Sequence, residues 1–316
     1  RDAAAPAYLE TPNARVALIA ANSCVAGASA IAGDRSVSMK VGRPGLNPLR
    51  RVTTYHVEKK YFDVLKEVSE TTCMNAGQLY SIANGYANPL PEDRLNFGGI
   101  SFKLDDKTEK HTAPNKKDME RMVANIQEAR RQADYVLVSI HSHDLAGTSK
   151  EFPALHLQEF ARQCIDAGAH AVIGHGPHLL RPIEIYKDSP IFYSLGDFML
   201  HNESVTFAPE DMYEKYGLTS KSTMHELLKT RSKDFTIGLM AEKVMNQTVI
   251  PYWEMENGKL TKLELYPVEL IMNGNRSEEG LPILSKNPEI FERLSKLSEP
   301  FGVKMQKKKN KIVCKF

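Results

Sequence analysis

Two short histidine-containing segments are the part of this sequence best suited to chemistry. The first covers residues 141–144 (HSHD) and the second covers residues 174–178 (GHGPH). Imidazole nitrogens are common metal ligands, and an imidazole also transfers protons near neutral pH. Three imidazoles alone would hold a tetrahedral zinc with one open position, whereas added carboxylates and an asparagine would suit a two-metal site that activates water. The segments therefore predict a metal-dependent reaction centre.

The spacing within the two segments gives the histidines different positions. His175 and His178 are three residues apart, and their rings converge only if the proline between them bends the chain. His141 would reach the same point from a neighbouring strand. His143 points the opposite way if that strand continues, which would place it against substrate or behind the ligands. Asp144 would either bind the metal or orient an imidazole through its free N–H.

Each segment follows a short apolar run that predicts a buried strand. The runs are residues 135–140 (YVLVSI) and 171–173 (AVI). Between them, apolar residues at helical spacing predict an amphipathic helix over residues 157–165, which ends before Gly168. A strand, a helix and a strand in this order form a parallel βαβ unit. The carboxyl ends of both strands then lie side by side, where open α/β sheets place their ligands.

A few other polar residues are weaker candidates. The turn-rich loop 42–50 holds Arg43 and Arg50, which would contact substrate if the loop is more than a surface connection. Asp197 follows a glycine at a strand end, where it would either stabilise a turn or contact substrate. Glu184 is either an outward-facing strand residue or a carboxylate of the site.

Further histidines and the cysteines add no motif. We interpret His156 as a helix-cap or surface residue, and His170 and His201 as surface residues. The four cysteines are widely spaced without a CxxC pair, so neither a zinc knuckle nor a thioredoxin-type site is indicated. Cys164 falls on the buried face of the predicted helix and is interpreted as a core residue. GxSxG, P-loop and GxGxxG patterns are absent from the sequence, so serine hydrolases, NTPases and dinucleotide enzymes have no motif support.

The composition is that of an ordinary globular protein. The chain has 316 residues, of which 42% are hydrophobic and 25% charged, so a sizeable core can form. Its net charge of +2 argues against a nucleic-acid binder, which usually has a large basic excess. Because there is neither an internal repeat nor a long linker, residues 1–316 are predicted to form a single domain, with residues 205–234 as an insertion or lid. The lysine-rich segment 304–311 is interpreted as a solvated end.

Local patterns predict the remaining elements. Strands are predicted over residues 15–21, 51–57, 99–104, 182–186, 191–195, 235–244, 248–254 and 260–266. Helices are predicted around residues 61–68, around residues 119–129 behind an Asn115 cap, and over residues 288–297 behind an Asn287 cap. Segment 75–94 is expected to be irregular.

Neither a membrane span nor a signal peptide is visible in the sequence. No apolar run approaches the roughly 20 residues that a membrane-spanning helix needs. The chain opens at Arg1 and not at a methionine, so we expect that an N-terminal part has been removed or left out.

Several of these segments together resemble a known family. Residues 168–178 (GAHAVIGHGPH), 182–186 (PIEIY) and 190–198 (PIFYSLGDF) are similar to the CapA family of capsule synthesis proteins, the poly-γ-glutamate branch of the calcineurin-like metallophosphoesterase superfamily. The match is specific over residues 134–198, and it is weaker over residues 6–11 and 42–50.

The resemblance implies a fold and a cofactor. The fold would be of the α/β class, a four-layer α/β/β/α sandwich around a metal centre at the strand ends. By position, His141, His175 and His178 match the metal-binding histidines of the family pattern. The cofactor would be a divalent metal, Mn, Zn or Fe, with two ions as an option.

The sequence also departs from the family pattern. Ser142 and His143 replace a usual Trp-Gly pair, with Asp144 near the family carboxylate, and Gly176 stands where many relatives have another histidine. The Asp, the Glu and the Asn-Asn-His segment of the family's N-terminal half have no match before residue 134. We therefore expect the chain to begin in mid-domain, with an N-terminal segment or a second chain completing the metal shell.

The favoured function is a CapA-like, metal-dependent hydrolase of capsule or peptide-polymer metabolism, acting on a peptide or an anionic polymer. The metal would polarise an amide or phosphate oxygen, and His143, with Asp144 beside it, is the candidate for proton transfer. One alternative is a metal-dependent peptide epimerase. Another is a non-catalytic polymer-binding or assembly subunit of capsule machinery. The protein would be bacterial, and both a cytoplasmic and an envelope-associated location fit the sequence.

Overall fold

The computed structural model describes residues 2–25, 27–33, 42–201, 204–239, 241–272, 275 and 277–316. The fold is mixed α/β, so the predicted class is confirmed. The strands are β1 (Ala7–Glu10), β2 (Arg15–Asn22), β3 (Arg51–Val57), β4 (Arg94–Phe97), β5 (Ile100–Leu104), β6 (Glu109–Pro114), β7 (Tyr135–His141), β8 (Leu145–Ala146), β9 (Ser149–Pro153), β10 (Ala171–His175), β11 (Ile183–Tyr186), β12 (Ser189–Phe192), β13 (Gln247–Glu256), β14 (Lys259–Leu270), β15 (Pro282–Leu284), β16 (Lys304–Lys308) and β17 (Lys311–Lys315). The α-helices are α1 (Lys59–Thr71), α2 (Ala76–Ala83), α3 (Lys116–Arg130), α4 (Leu155–Asp166), α5 (Glu210–Glu214), α6 (Met224–Arg231) and α7 (Pro288–Ser298).

A six-stranded central sheet positions the two histidine segments. Its strand order is β1-β2-β7-β10-β12-β11, and β2, β7, β10 and β12 run parallel. The edge strands β1 and β11 pair antiparallel with their neighbours. Because α4 connects the parallel neighbours β7 and β10, the predicted βαβ unit is confirmed. α3 and α4 pack against this sheet, and the shared core contains side chains of all these elements, including Met122, Ile126, Phe160, Val136 and Val138.

Helix α4 forms where the helical spacing of apolar residues predicts it. Its buried apolar side chains recur every three or four residues and form one face: Leu157, Phe160, Ala161, Cys164 and Ile165. Each large apolar side chain buried in this way contributes about 1.5–3 kcal/mol. Gly168 follows the helix at a φ of 113°, a conformation that favours glycine and lets the chain turn into β10.

A second sheet covers the β11–β12 end of the central sheet. Its order is β13-β14-β17-β16, with β15 paired to β14. A second core joins Ile183 and Phe192 of the central sheet to Leu263 and Leu265 of β14 and to Leu294 of α7. Helices therefore pack on the central sheet, and a second sheet contacts it. The full four-layer sandwich stays a prediction.

Two smaller sheets complete the described part of the chain. The order β4-β5-β3-β6 forms one, and α1 packs on β4 and β5. Contacts between α4 and β6 attach this sheet to the central unit. Strands β8 and β9 pair with each other in a separate hairpin that starts directly after Asp144.

The predicted caps are confirmed, and strands β11 and β12 form an antiparallel hairpin. Asn115 accepts a hydrogen bond from the backbone N–H of Asp118 at 3.3 Å, and Asn287 accepts one from Glu289 at 3.0 Å. Lys187 and Asp188 have φ values of 49° and 59° between β11 and β12. Two consecutive positive φ values match the right-handed twist of a hairpin.

Two predictions about secondary structure are wrong. In its described part, segment 235–244 forms turns and the start of a short 3₁₀ helix and not a strand, and Gly238 has a φ of 94° that strands do not adopt. Helix α2 lies inside segment 75–94, which was expected to be irregular. The lysine-rich segment 304–311 is mostly exposed, as predicted, although its strand β16 pairs with β17, in which Ile312 and Cys314 are buried at alternate positions. That alternation is typical of a half-buried strand.

Segment 205–234 contains α5 and α6, which are anchored by the buried side chains of Tyr213 and Leu227. Its role as an insertion or lid stays a prediction. None of the helices in the described ranges is both long and apolar enough to cross a membrane.

His170 is buried, so its surface interpretation is wrong; His156 is also buried and lies in the first turn of α4, so of its two interpretations the helix-cap region is correct and the surface is wrong. The N–H of Val136 donates to Nδ1 of His170 at 2.9 Å, which holds that nitrogen as an acceptor. Burial, followed by the positive charge of Arg130, lowers the pKa of His170 to about 4. Burial, followed by nearby positive charges, also lowers the pKa of His156 to about 4. Both side chains are therefore neutral parts of the packed structure at neutral pH.

We expect acid to destabilise the protein between pH 6.5 and about 4 through these two histidines. In this window the unfolded chain binds more protons than the folded chain, so stability falls as the pH falls. The difference in pKa corresponds to roughly 3 kcal/mol for each histidine. Urea unfolding at neutral pH and within the window measures this loss. His170→Gln should reduce the loss relative to the exposed control His225→Gln, and an equal loss in both variants would contradict the expectation.

Candidate metal centre

The carboxyl ends of three parallel strands bring the first residues of the site together. In the register of the central sheet, Asn22 of β2 lies opposite His141 of β7, and His141 lies opposite His175 of β10. Paired residues of neighbouring parallel strands point to the same face of a sheet. The sheet therefore sets His141 and His175 beside each other.

Four imidazoles lie next to one another in a row. We call this the histidine row, and its members in order are His175, His141, His143 and His178. The Nδ1 atoms of His175 and His141 are 3.1 Å apart. The ring centres of His141 and His143 are 5.1 Å apart, and those of His143 and His178 are 5.4 Å apart. Nδ1 of His178 lies 3.0 Å from Oδ2 of Asp197. The side chains of the two histidine segments and Asp197 therefore lie close together in one site.

His143 belongs to this row because β7 ends at His141. The alternation of a strand does not extend to His143, so its ring contacts His141 and His178 and does not point to the opposite face. Its predicted role in proton transfer stays a prediction.

Cys24 joins the row from a third strand end. Its Sγ atom and one ring nitrogen each of His141 and His143 all lie within 4.8 Å of one another. Among the described residues, no other three His, Cys, Asp or Glu side chains have ligand atoms this close to one another. The predicted set of His141, His175 and His178 does not meet it.

No role was predicted for Cys24, although a signal was present. Cys24 follows the end of β2, which is the parallel neighbour of β7, so it shares the strand-end position of the histidines. Its surroundings, residues 23–34, have no clear hydrophobic period, and the strand order that brings Cys24 next to His141 is a property of the folded sheet.

Burial favours the neutral form of three imidazoles of the row. It lowers the pKa of His141, His143 and His175, and neighbouring cationic groups lower these pKa values further. A neutral imidazole has a free lone pair, which is the form that binds a metal. Oγ of Ser139 lies 3.0 Å from Nε2 of His175 and helps to fix that ring.

Asp144 ties the site to neighbouring elements. Its carboxylate accepts a hydrogen bond from Oγ of Ser23 at 3.0 Å and forms an ion pair with Arg51 of β3. Nε2 of the buried His156 lies 3.3 Å from the same carboxylate. These contacts hold the loop after β7 in place, and the proton-transfer role predicted for Asp144 stays a prediction.

The two arginines predicted to contact substrate are engaged elsewhere. Arg50 makes two side-chain hydrogen bonds to Asp118, each of 2.8 Å. Arg43 donates to the backbone carbonyls of Ile31 and Ala28 at 2.9 and 3.0 Å. Both therefore stabilise the fold locally, and their substrate roles stay predictions.

Gly176 allows the second segment to pack closely on the first. Its φ is 119°, a conformation that favours glycine, and a Cβ atom there would lie 2.9 Å from the carbonyl oxygen of Ser142 and 3.2 Å from Cε1 of His141. A side chain at this position would therefore require a shift of the backbone at Ser142 and a smaller shift of the His141 ring.

The donor atoms fit a divalent transition metal. The thiol of Cys24 follows β2, the imidazoles of His141 and His143 lie at the end of β7, and the three donor atoms lie within a distance that a single ion bridges. Nitrogen and sulfur ligands of this kind are typical of zinc and iron sites. His175, in contact with His141, is the nearest further donor of the row.

Comparison with known proteins identifies the family of this chain. Residues 1–202 match the family described as "Bacterial capsule synthesis protein PGA_cap". An uncharacterized protein of Sinorhizobium fredii is 32% identical over 96% of this chain, and the chain spans 65% of that relative's length. The protein named "PGA biosynthesis protein CapA" of Bacillus subtilis is 32% identical over 46% of this chain and 40% of its own length.

A more distant relative is from Mycobacterium tuberculosis. It is named a "probable polyglutamine synthesis accessory protein" and is 36% identical over 27% of this chain and 21% of its own length. The family match covers more than half of the chain and includes every residue of the histidine row. This chain belongs to the PGA_cap family of bacterial capsule synthesis proteins.

Proposed function

We propose that this chain carries the metal-binding part of a metal-dependent hydrolase of capsule or peptide-polymer metabolism. The observation that carries the proposal is the convergence of Cys24, His141 and His143 on one point at the carboxyl ends of parallel strands. Membership of the PGA_cap family and the names of the relatives support the substrate class, which is a peptide or anionic polymer.

The proposed ligands are Cys24, His141 and His143, with His175 beside them. Among Mn, Zn and Fe, this donor set favours zinc or iron, because manganese prefers oxygen ligands. When bound, such a metal supplies a positive charge that polarises an amide or phosphate oxygen. No further step is assigned to it.

The residues around the ligands would orient substrate and move protons. Asp197 accepts a hydrogen bond from Nδ1 of His178, which leaves Nε2 of that ring facing away from the carboxylate. The ring of His178, which is outside the ligand set, lies 5.4 Å from that of His143, so a proton released near the substrate has a free imidazole within reach. Arg51 and Ser23 hold Asp144, which fixes the loop that carries His143.

A second candidate function is supported by the word "accessory" in the name of the mycobacterial relative. In that case the chain would bind or assemble the polymer without cleaving it. The histidine row would then serve binding or stability.

Metal removal tests the proposal. We expect the purified protein to hold about one zinc or iron ion per chain and to release new amino termini from a γ-linked glutamate polymer. Dialysis against a chelator should stop the release, and addition of the same metal should restore it. Elemental analysis and an amine-reactive dye measure the two quantities. If the protein binds the polymer but holds no metal and does not cleave it, the hydrolase proposal is wrong and the assembly subunit is the function that remains.

A further inference from the structure

Arg181 is a buried cation next to the histidine row. It lies three residues after His178, and its side chain is the largest of those that are fully buried in the described part of the protein. Burial lowers the pKa of Arg181 to about 10, so the guanidinium still carries its charge at neutral pH. The chain thus keeps a positive charge away from water close to its proposed metal centre.

The guanidinium of Arg181 is only partly satisfied. Nε donates to the backbone carbonyl of Lys150 at 2.8 Å. The two terminal nitrogens are buried and have no hydrogen-bond partner among the described residues. In the same ranges no carboxylate forms an ion pair with Arg181, and the nearby Glu151 lies 3.9 Å from Arg293 instead.

An unpaired buried cation is unfavourable unless something compensates for it. Buried charges are normally paired, and a buried polar atom without a partner in a native structure calls for an explanation. The two terminal nitrogens of an arginine present parallel N–H donors, whose geometry matches the two oxygens of a carboxylate. The unused donors of Arg181 are therefore suited to an anionic ligand.

The surroundings place Arg181 beside the β8–β9 hairpin and near His143. The β8–β9 hairpin starts directly after Asp144, and its residue Lys150 accepts the hydrogen bond from Arg181. The positive charges of Arg181 and Lys150 both act on the ring of His143. Since β8 and β9 pair with each other and belong to none of the larger sheets, the hairpin can shift without breaking a sheet.

We infer that Arg181 is the receptor for a carboxylate group of the ligand that reaches the histidine row, with the β8–β9 hairpin as its cover. The identity of this ligand as a polymer with free carboxylates rests on the proposed function. The hairpin has to move for the carboxylate to reach the guanidinium, because the terminal nitrogens are buried in the present structure.

Binding of a γ-linked glutamate oligomer to the whole protein tests this inference. We expect Arg181→Met to weaken binding at least about tenfold and Arg181→Lys to weaken it less, because lysine keeps the charge and loses the paired donors. Titration calorimetry at constant salt measures the affinity. Lys308→Met, which removes an exposed charge far along the chain, is the control and should bind like the wild type. The same oligomer with its carboxylates amidated should bind weakly to every variant.

The metal-dependent hydrolase and the carboxylate receptor can be disproved independently of each other. The metal content of Arg181→Met should equal that of the wild type, so a loss of oligomer binding alone supports the receptor whether or not the polymer is cleaved. Unchanged affinity in Arg181→Met overturns the inference, and if that variant does not fold, unchanged affinity in Arg181→Lys does so. Arg181-dependent binding of inorganic phosphate without binding of the oligomer also overturns it, because the receptor would then be for phosphate.

Discussion

Replacing His141 by alanine should remove the bound metal, with a loss of affinity of at least about 100-fold. His141 contacts His175 and His143 on its two sides, and its ring also lies within 4.8 Å of the thiol of Cys24. Partners that only orient a ligand already contribute 10–100-fold to metal affinity, and loss of a ligand itself should cost more. His141 is also common to the predicted and the observed groupings, so this result is expected whichever of them holds the ion.

The measurement is the metal content after gel filtration, followed by titration with Co²⁺ as an optical probe. The matched control is His225→Ala, which removes an exposed imidazole on α6. The control should keep the wild-type metal content. Metal retained at wild-type affinity by His141→Ala would contradict the proposed centre.

Single variants then decide between the two groupings. If Cys24, His141 and His143 bind the ion, Cys24→Ser should abolish the thiolate-to-cobalt absorption band and weaken binding, whereas His178→Ala should have a small effect. If the grouping predicted from the sequence is correct, His175→Ala and His178→Ala should have the large effects and Cys24→Ser should be silent. The distances favour the first outcome.

The sequence was sufficient wherever a local pattern decides the structure. The apolar face of α4, the Asn115 cap and the two strands before the histidines follow from periodicity and turn residues, and the structure confirms them. The approximate place of the site followed as well, because carboxyl ends of neighbouring parallel strands meet at one edge.

The features of the site and the core that could not be predicted from the sequence depend on long-range packing. Cys24 and His143 are 119 residues apart in sequence, and only the order β2-β7-β10 brings them together. The burial of His170 depends on Arg130 and Val136, neither of which is a sequence neighbour. Arg181 has no local pattern that marks it as buried.

Arg50 shows the same limit and leads to the second large effect. A basic residue in a turn-rich loop resembles a substrate contact, but here Arg50 neutralises a carboxylate with no exposed surface, that of Asp118. Burial alone would raise the pKa of Asp118, but hydrogen bonds from Arg50 and Arg121 hold it below its ordinary value. The carboxylate is therefore charged at neutral pH and joins the loop before β3 to α3.

We expect Asp118→Ala to destabilise the protein by about 3 kcal/mol, at the lower end of the roughly 3–5 kcal/mol typical of a broken buried ion pair. The lower end applies because Arg50 is 46% exposed and regains water when its partner is lost. The pKa of Asp118 is lower in the folded protein, so its stabilising effect is complete above its ordinary value of 3.8 and is lost as the pH falls through the folded value. Urea unfolding at neutral pH measures the effect.

The matched control for Asp118→Ala is Asp63→Ala, which breaks the exposed pair between Asp63 and Lys59 on α1. Exposed pairs of this kind contribute little to stability, so the control should unfold near the wild-type midpoint. Equal midpoints for the two variants would mean that the buried carboxylate does not hold the loop to α3. Because backbone hydrogen bonds join that loop to Asn22, two residues before Cys24, a large effect of Asp118→Ala should be accompanied by weaker metal binding, whereas Asp63→Ala should leave the metal in place.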